Sequence, residues 1–338
     1  MNHQIDTSAA IVLDEEPTNP EYGNYPHQRS IENLLQYGFI PLDKQEGPSS
    51  HQVVAWTSKL FNNIKTGHSG TLDPLVTGLL PVGLAESTKA LSILLLGPKE
   101  YIALAKIHDS IPEEKIKQVF GEFIGNIYQR PPQRSAVKRV TRTREIYSLE
   151  IIQQKDRFVL MKISCEAGTY IRKLIYDAGE LLGCGASMLE LRRTKVAHIT
   201  ESDGLVRLHD LFNAKYLYDH EQNDTQLRKL IQPVESITKN LKYFIIRDSA
   251  VDSICHGAQL AIPGILKLSN GIIPGDNIAI YSQKEELIAI AESVMNSDQI
   301  QISNSGIACK TKRVIMKNNT YPKMWKSDKN SRNDAGVV

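Results

Sequence analysis

Residues 66–83, Thr-Gly-His-Ser-Gly-Thr-Leu-Asp-Pro-Leu-Val-Thr-Gly-Leu-Leu-Pro-Val-Gly, are the stretch around which the rest of the chain is organised. Its glycines and prolines exclude a regular helix. Asp73 stands directly before Pro74, and a residue before proline is pushed out of the helical region into an extended or turn conformation. The apolar neighbours expected to anchor the segment are Leu72, Leu75 and Val76. The sequence therefore predicts a pinned loop that presents one carboxylate, that of Asp73.

Part of this loop matches a known motif. Residues 67–74, Gly-His-Ser-Gly-Thr-Leu-Asp-Pro, resemble the active-site loop of the pseudouridine synthases that modify the tRNA T-arm uridine, and of their guide-RNA-dependent relatives. The aspartate is the nucleophile in that family, so the resemblance implies that Asp73 is catalytic. An Asp-Pro pair alone is more often a turn whose side chain bonds its own backbone. Eight consecutive matching residues favour the catalytic interpretation.

Length and charge indicate two domains and one polyanion-facing side. A chain of 338 residues is too long for one ordinary core, and 41% hydrophobic residues can form sizeable cores. The net charge of +2 hides an uneven distribution, because residues 1–28 carry five acids and no Lys or Arg. Residues 129–144 carry no acid and six basic side chains, which we expect to contact RNA phosphates: Arg130, Arg134, Lys138, Arg139, Arg142 and Arg144.

The cysteines and the absence of long apolar segments suggest a cellular setting. Four widely spaced cysteines argue against a zinc site or a disulfide framework and fit a reducing compartment. No segment approaches the length of a membrane span, and no signal peptide opens the chain. We therefore expect a soluble, cytoplasmic protein with no membrane contact, no metal and no cofactor.

A second centre of chemistry follows a predicted strand over residues 159–165. Residues 168–172, Gly-Thr-Tyr-Ile-Arg, open a predicted amphipathic helix whose apolar face includes Leu174 and Leu181. Arg172 lies in the first turn, where a cation opposes the helix dipole unless an anion lies opposite. The same five residues match a family motif, which implies that Arg172 pairs with Asp73 and that Tyr170 lines the uracil pocket. A surface arginine is the alternative.

The resemblance implies further substrate contacts. Lys44 matches the lysine of a family motif near the start, although it could be a solvated turn lysine. Tyr101 matches a tyrosine that lies against the target base, and the alternative is a half-buried core tyrosine. Leu191 matches a leucine that contacts the base, or belongs to the core. His68 lies in the loop itself, and could instead bond its own turn.

We predict an α+β fold. The catalytic domain would be built on a mixed, mainly antiparallel twisted sheet flanked by helices. Residues 256–265, His-Gly-Ala-Gln-Leu-Ala-Ile-Pro-Gly-Ile, resemble the PUA domain, a small RNA-binding β-barrel. The predicted division is a flexible acidic arm that could dock as an edge strand (1–28), a catalytic domain (29–236), a PUA domain (242–325) and a disordered tail (326–338).

Together these segments most closely resemble the dyskerin family, specifically the archaeal catalytic subunit of the box H/ACA guide RNA particle. The resemblance implies that the chain isomerises uridine to pseudouridine in rRNA, and possibly in tRNA, with a box H/ACA guide RNA and three small protein partners. One alternative is an enzyme that acts on the tRNA T-arm without a guide. The other is a non-catalytic RNA-binding scaffold.

Overall fold

A computed structural model describes residues 5–130 and 140–324 of the chain. The described residues fall into two compact units. The central unit lies within Gly38–Gln232, and the terminal unit combines the residues before Gly38 with those after Gln232. No helix in the described ranges is long and apolar enough to cross a bilayer.

The strands are, in chain order, β1 (Ile11–Val12), β2 (Gly38–Lys44), β3 (Thr66–His68), β4 (Thr77–Leu84), β5 (Lys99–Ile107), β6 (Gly125–Gln129), β7 (Arg142–Lys155), β8 (Phe158–Cys165), β9 (Ala186–Val196), β10 (Ile199–Thr200), β11 (Val206–Arg207), β12 (Gln232–Pro233), β13 (Lys242–Ile246), β14 (Leu260–Ala261), β15 (Ile265–Leu268), β16 (Asn277–Tyr281), β17 (Leu287–Ser293) and β18 (Ile307–Val314). The α-helices are α1 (Ile31–Tyr37), α2 (Ser50–Leu60), α3 (Leu91–Leu96), α4 (Glu113–Gly121), α5 (Ile171–Leu182), α6 (Leu208–Glu221), α7 (Thr225–Leu230), α8 (Glu235–Thr238), α9 (Asp248–Cys255) and α10 (Ser297–Ile302).

The central unit is built on one large sheet, with strand order β11-β2-β4-β9-β5-β8-β7-β6. Two neighbouring pairs in this order, β11 with β2 and β4 with β9, are parallel, and the others are antiparallel. The predicted mixed, mainly antiparallel sheet flanked by helices is therefore confirmed. Its central strands β4, β9 and β5 bring together residues that are distant in sequence, and the candidate site lies on them.

Helix α5 buries one apolar face against this sheet. The buried positions recur at helical spacing and belong to the same core as β5 and β8: Ile171, Leu174, Ile175, Ala178 and Leu182. The helix ends at Gly183, whose φ of +80° is the left-handed cap that glycine adopts without strain. Leu181, predicted on the apolar face, is 64% exposed because it lies at the margin of that stripe. The packed face fixes the rotation of α5, and with it the direction of its first turn.

The terminal unit has a seven-stranded sheet of order β1-β15-β13-β16-β17-β18-β14. Only residues 262–264 separate β14 from β15, although the two strands lie near opposite ends of this order. A connection that short requires the sheet to curl round on itself, as in a small barrel. The N-terminal arm docks here, because β1 pairs antiparallel with β15 and adds an edge strand.

The boundary between the units differs from the predicted division at residues 29 and 236. Arg29 and Glu235 are both buried and form a bidentate ion pair, with Nη2–Oε1 at 2.7 Å and Nη1–Oε2 at 2.8 Å. Glu235 also accepts a hydrogen bond from the backbone N–H of Leu287, at 2.9 Å. This network ties both ends of the predicted catalytic domain to the terminal unit.

Candidate active site

Asp73 and Arg172 are separated by 99 positions in sequence and meet in the central unit. Arg172 Nη2 lies 3.1 Å from Asp73 Oδ2. The contact implied by the family motifs is thus present in the structure. Both side chains are more than half exposed, at 61% for Asp73 and 56% for Arg172. An ion pair this exposed contributes little stability, so the position of the two groups must be set by their backbones.

Lys44 forms hydrogen bonds with the backbone that follows Asp73. Its side chain is fully buried, and Nζ donates hydrogen bonds to the carbonyl oxygens of Gln45 (3.0 Å), Pro74 (2.9 Å) and Val76 (2.8 Å). Burial lowers the pKa of the Lys44 ammonium below its usual value, and the Asp73 carboxylate opposes that shift. Lys44 is therefore not a solvated turn lysine. Two of its three N–H donors bond to the loop that carries Asp73, and the third bonds to the carbonyl of the neighbouring Gln45.

Ser50 holds the other side of the same loop. Ser49 caps the N-terminus of α2 and forms a capping box with Gln52. This leaves the buried Ser50 hydroxyl free to accept a hydrogen bond from Leu72 N–H (2.8 Å) and to donate one to Leu72 C=O (2.9 Å). The residues before and after Asp73 are thus each fixed by a buried polar side chain.

Arg193 is a second buried cation beneath the loop. It is 1% exposed, and its guanidinium donates to the carbonyl oxygens of Leu79 (2.9 Å) and Gly70 (3.1 Å). Burial lowers the pKa of Arg193, and the neighbouring Tyr101 opposes this. Gly78 lies on β4 directly opposite Arg193 on the neighbouring strand β9. A Cβ added at Gly78 would lie 2.3 Å from the Arg193 carbonyl oxygen, and the φ of Gly78 is +104°. Only glycine permits this approach of β4 to β9.

Tyr101 lies on β5, opposite Arg193 on β9. Burial raises the pKa of its phenol above the usual value, while the charge of Arg193 and a hydrogen bond with it act in the opposite direction. Tyr101 is half-buried by side-chain exposure. The ring is therefore held in place by the sheet and by Arg193 while part of it stays accessible.

His68 and the adjacent Ser69 occupy the start of the loop. Burial lowers the pKa of His68, and nearby His51 and Arg193 lower it further. Within the described part of the chain, neither His68 Nδ1 nor the fully buried Ser69 Oγ has a hydrogen-bond partner. Both atoms are buried, so they face the interior of the protein at the start of the loop.

Tyr170 and Leu191 were the remaining predicted pocket residues. Tyr170 is the N-cap residue of α5, two positions before Arg172. Leu191 is half-buried on β9 opposite Ala103, and it packs against the core of the central unit. Leu191 is therefore partly in the core and partly accessible, and its contact with the target base stays a prediction.

The predicted basic residues divide into three groups. Arg134, Lys138 and Arg139 lie outside the described residues. Arg130 and Arg142 are exposed at the end of the β6–β7 hairpin. Arg144 is instead mostly buried, and its Nη1 lies 3.3 Å from Glu166 Oε1 in the turn before α5. Arg144 therefore supports the turn, and Arg130 and Arg142 are the exposed pair.

Three buried residues of the site escaped the sequence analysis in this role: Ser50, Gln129 and Arg193. Each makes its contacts to backbone atoms 22 or more positions away, so no local pattern reports them. As for metals, no group of three His, Cys, Asp or Glu side chains in residues 5–130 and 140–324 is arranged to hold an ion.

Family models match most of the chain. The model of the TruB family pseudouridylate synthase N-terminal domain matches residues 58–113 and 103–171, and the tRNA pseudouridylate synthase B C-terminal domain matches residues 172–239. A PUA domain matches residues 242–315, and a DKCLD domain matches residues 5–54.

Whole-chain relatives agree with these matches. The probable tRNA pseudouridine synthase B of Pyrobaculum aerophilum is 46% identical over 321 residues, which is 95% of this chain and 96% of the relative. The structure of an H/ACA RNP bound to a substrate RNA containing 2'-deoxyuridine matches with a TM-score of 0.87 and 44% identity, over 94% of this chain and 97% of that one. The crystal structure of a Cbf5-Nop10-Gar1 complex matches with a TM-score of 0.87 and 45% identity, over 96% and 98%. The chain therefore belongs to the TruB family of pseudouridine synthases and carries a PUA domain.

Proposed function

We propose that this protein isomerises uridine to pseudouridine in RNA as the catalytic subunit of a box H/ACA guide RNA particle in the cytoplasm. The observation that carries the proposal is the contact between Asp73 and Arg172. One carboxylate is presented on a pinned loop, and one guanidinium from a different element is aimed at it. This arrangement suits a reaction in which a single carboxylate engages the nucleoside.

The chemistry requires little beyond such a group. The N1–C1′ bond breaks, the base rotates, and C5 bonds to C1′, while one proton leaves C5 and one is gained at N1. The reactant and product are isomers, so no group is imported and no electrons are transferred. Asp73 would form a transient bond either to C1′ of the sugar, as the C1′–N1 bond breaks, or to the base, as a ring π bond opens, and this bond breaks again before the product leaves. Arg172 would keep the carboxylate aimed at the atom that it attacks.

The target uridine must leave its stack to reach Asp73. Tyr101 offers a ring fixed by Arg193, and a flat ring stacks on a base without regard to sequence. Tyr170 and Leu191 would complete the pocket with His68. Lys44 would contribute to substrate binding only through the loop that it supports, because its donors are all engaged.

Several observations favour a guided enzyme. Two solved structures with TM-scores of 0.87 are an H/ACA RNP with substrate RNA and a Cbf5-Nop10-Gar1 complex. The exposed Arg130 and Arg142 offer two cations for a phosphate backbone, and Arg134, Lys138 and Arg139 lie between them in sequence. We propose the guide RNA, an rRNA substrate and three small proteins as partners, with the PUA domain binding the guide.

The test is reconstitution of the full chain with a guide RNA, candidate partner proteins and a complementary RNA containing one uridine. We expect pseudouridine at that uridine only when the guide is present. Failure to form pseudouridine with any guide or tRNA would reject catalysis and leave the non-catalytic scaffold.

A guide-independent tRNA enzyme is the second candidate. It is favoured by the relative from Pyrobaculum aerophilum, which carries the name probable tRNA pseudouridine synthase B. Incubating the protein with a tRNA transcript and no guide separates the two. Pseudouridine in the T-arm under these conditions would support this second function, alone or beside the first.

A further inference from the structure

Helix α5 carries Arg172 in its first turn, but its N-cap residue supplies no side-chain capping hydrogen bond. The first N–H groups of any helix have no partner within the helix. The N-cap residue here is Tyr170, and its side chain makes no capping hydrogen bond. A phenol cannot fold back onto its own helix as Ser or Asp does. Some other group must therefore fix the point at which α5 begins.

Gln129, the last residue of β6, does so from 41 positions away. Its side-chain Oε1 accepts a hydrogen bond from Tyr170 N–H at 2.8 Å, and its Nε2 donates one to Tyr170 C=O at 3.0 Å. Gln129 is only 2% exposed. Both ends of one buried amide thus grip the backbone of a single residue, which fixes that residue in position and orientation.

These two hydrogen bonds matter because the Asp73–Arg172 ion pair is too weak to fix the positions of its own side chains. Both side chains are more than half exposed, and such pairs contribute little energy. On one side, Lys44 and Ser50 fix the Asp73 loop. On the other, Gln129 fixes the backbone two residues before Arg172.

We propose that Gln129 is a positioning residue for the isomerisation, which acts by placing Tyr170 and Arg172 relative to Asp73. The proposal rests on the proposed roles of Asp73 and Arg172. Gln129 is also the residue next to Arg130 and the register partner of Arg142. It therefore links the exposed basic end of the hairpin to the start of α5.

The test is the variant Gln129→Met, which keeps the length and approximate volume of the side chain but cannot hydrogen bond. Single-turnover rates are measured in the reconstituted guide RNA complex, together with RNA affinity and thermal stability. Because small misplacements of reacting groups are costly, we expect the rate to fall by at least about tenfold. RNA affinity should stay within about twofold of wild type, since no phosphate-contacting group has changed. Gln118→Met, at an exposed position on α4, is the matched control and should behave as wild type.

A second variant separates positioning from a general structural role. Gln129→Glu keeps an acceptor for Tyr170 N–H, and a carboxylate suits a helix N-terminus. The Tyr170 carbonyl keeps its second hydrogen bond, from Leu174 N–H at 3.1 Å, so losing the Gln129 donor does not leave it unpaired. We expect this variant to recover much of the lost rate. Equal rates for Gln129→Met and wild type, equal defects in both Gln129 variants, or a rate loss matched by lost RNA binding would each overturn the proposal. Absence of product with the wild-type complex would instead reject the proposed function, and this proposal with it.

Discussion

Replacing Lys44 by Met removes the ammonium that holds the Asp73 loop while keeping the buried stem. The ammonium is lost from three carbonyl oxygens, those of Gln45, Pro74 and Val76, at 2.8–3.0 Å. Two of these carbonyls lie within three positions of Asp73. The substitution therefore releases the backbone of the candidate nucleophile without touching its side chain.

The expected magnitude follows from these contacts. A hydrogen bond from a charged donor contributes a net of about 1.5–3 kcal/mol. The sum is reduced by the cost of burying the ammonium, which the lowered pKa of Lys44 reflects. The Pro74 carbonyl also keeps a second donor, Gly47 N–H at 3.0 Å. We therefore expect Lys44→Met to lower the free energy of unfolding by about 2–4 kcal/mol.

The effect on catalysis should be larger than the effect on stability suggests. A misplacement of about 1 Å at a reacting group can cost on the order of 100-fold in rate. Single-turnover pseudouridine formation with saturating RNA, at a temperature where the variant is folded, measures this loss. Lys59→Met, at an exposed position on α2, is the matched control. A Lys44→Met rate within twofold of the control would refute the view that this lysine positions Asp73.

Three further predictions concern other buried polar groups of the central unit. Ser50→Ala removes both hydrogen bonds to Leu72 and should lower stability by about 1–3 kcal/mol in urea unfolding, with slower turnover; unchanged stability and rate would contradict this. Arg193→Lys keeps the positive charge but loses the planar guanidinium that bonds to two carbonyl oxygens. The single-turnover rate should therefore fall by at least about tenfold. Full activity of this variant would show that the charge alone suffices. Burial lowers the pKa of Lys99 from its usual 10.5 to about 8. At pH values between about 8 and 10.5, the Lys99 side chain is protonated in the unfolded chain and neutral in the folded chain. The contribution of Lys99 to the free energy of unfolding therefore rises with pH over this range. Denaturant unfolding from pH 7 to 10 should show wild type gaining stability relative to Lys99→Met, whereas a constant difference would contradict the shifted pKa.

The sequence predicted those parts of the fold that local patterns report. The alternation of residues 159–165 and the 3.6-residue spacing from Ile171 onward correspond to β8 and α5. Strand order was not predictable in this way, because the parallel pairing of β4 with β9 joins residues more than 100 positions apart.

The residues of the candidate site were likewise predictable only where the sequence carries a recognisable motif. The Asp73–Arg172 contact came from matching two family motifs, since neither the spacing nor the composition relates these residues. Lys44 was identified, but its burial was not, because a lysine in a turn is ordinarily solvated and only the structure shows three carbonyls around it. Gln129 and Arg193 form hydrogen bonds with backbone carbonyl oxygens. Every residue has such a carbonyl, so the sequence does not indicate which residue is the partner.

The most direct measurement is pseudouridine formation by Asp73→Asn in the reconstituted guide RNA complex, with RNA binding measured on the same preparation. Asn has nearly the same size and shape as Asp and can still form hydrogen bonds, but it provides no carboxylate. We predict no pseudouridine, with affinity for guide and substrate RNA unchanged. Pseudouridine made by this variant at a rate comparable to wild type would contradict the central claim that the Asp73 carboxylate carries the reaction.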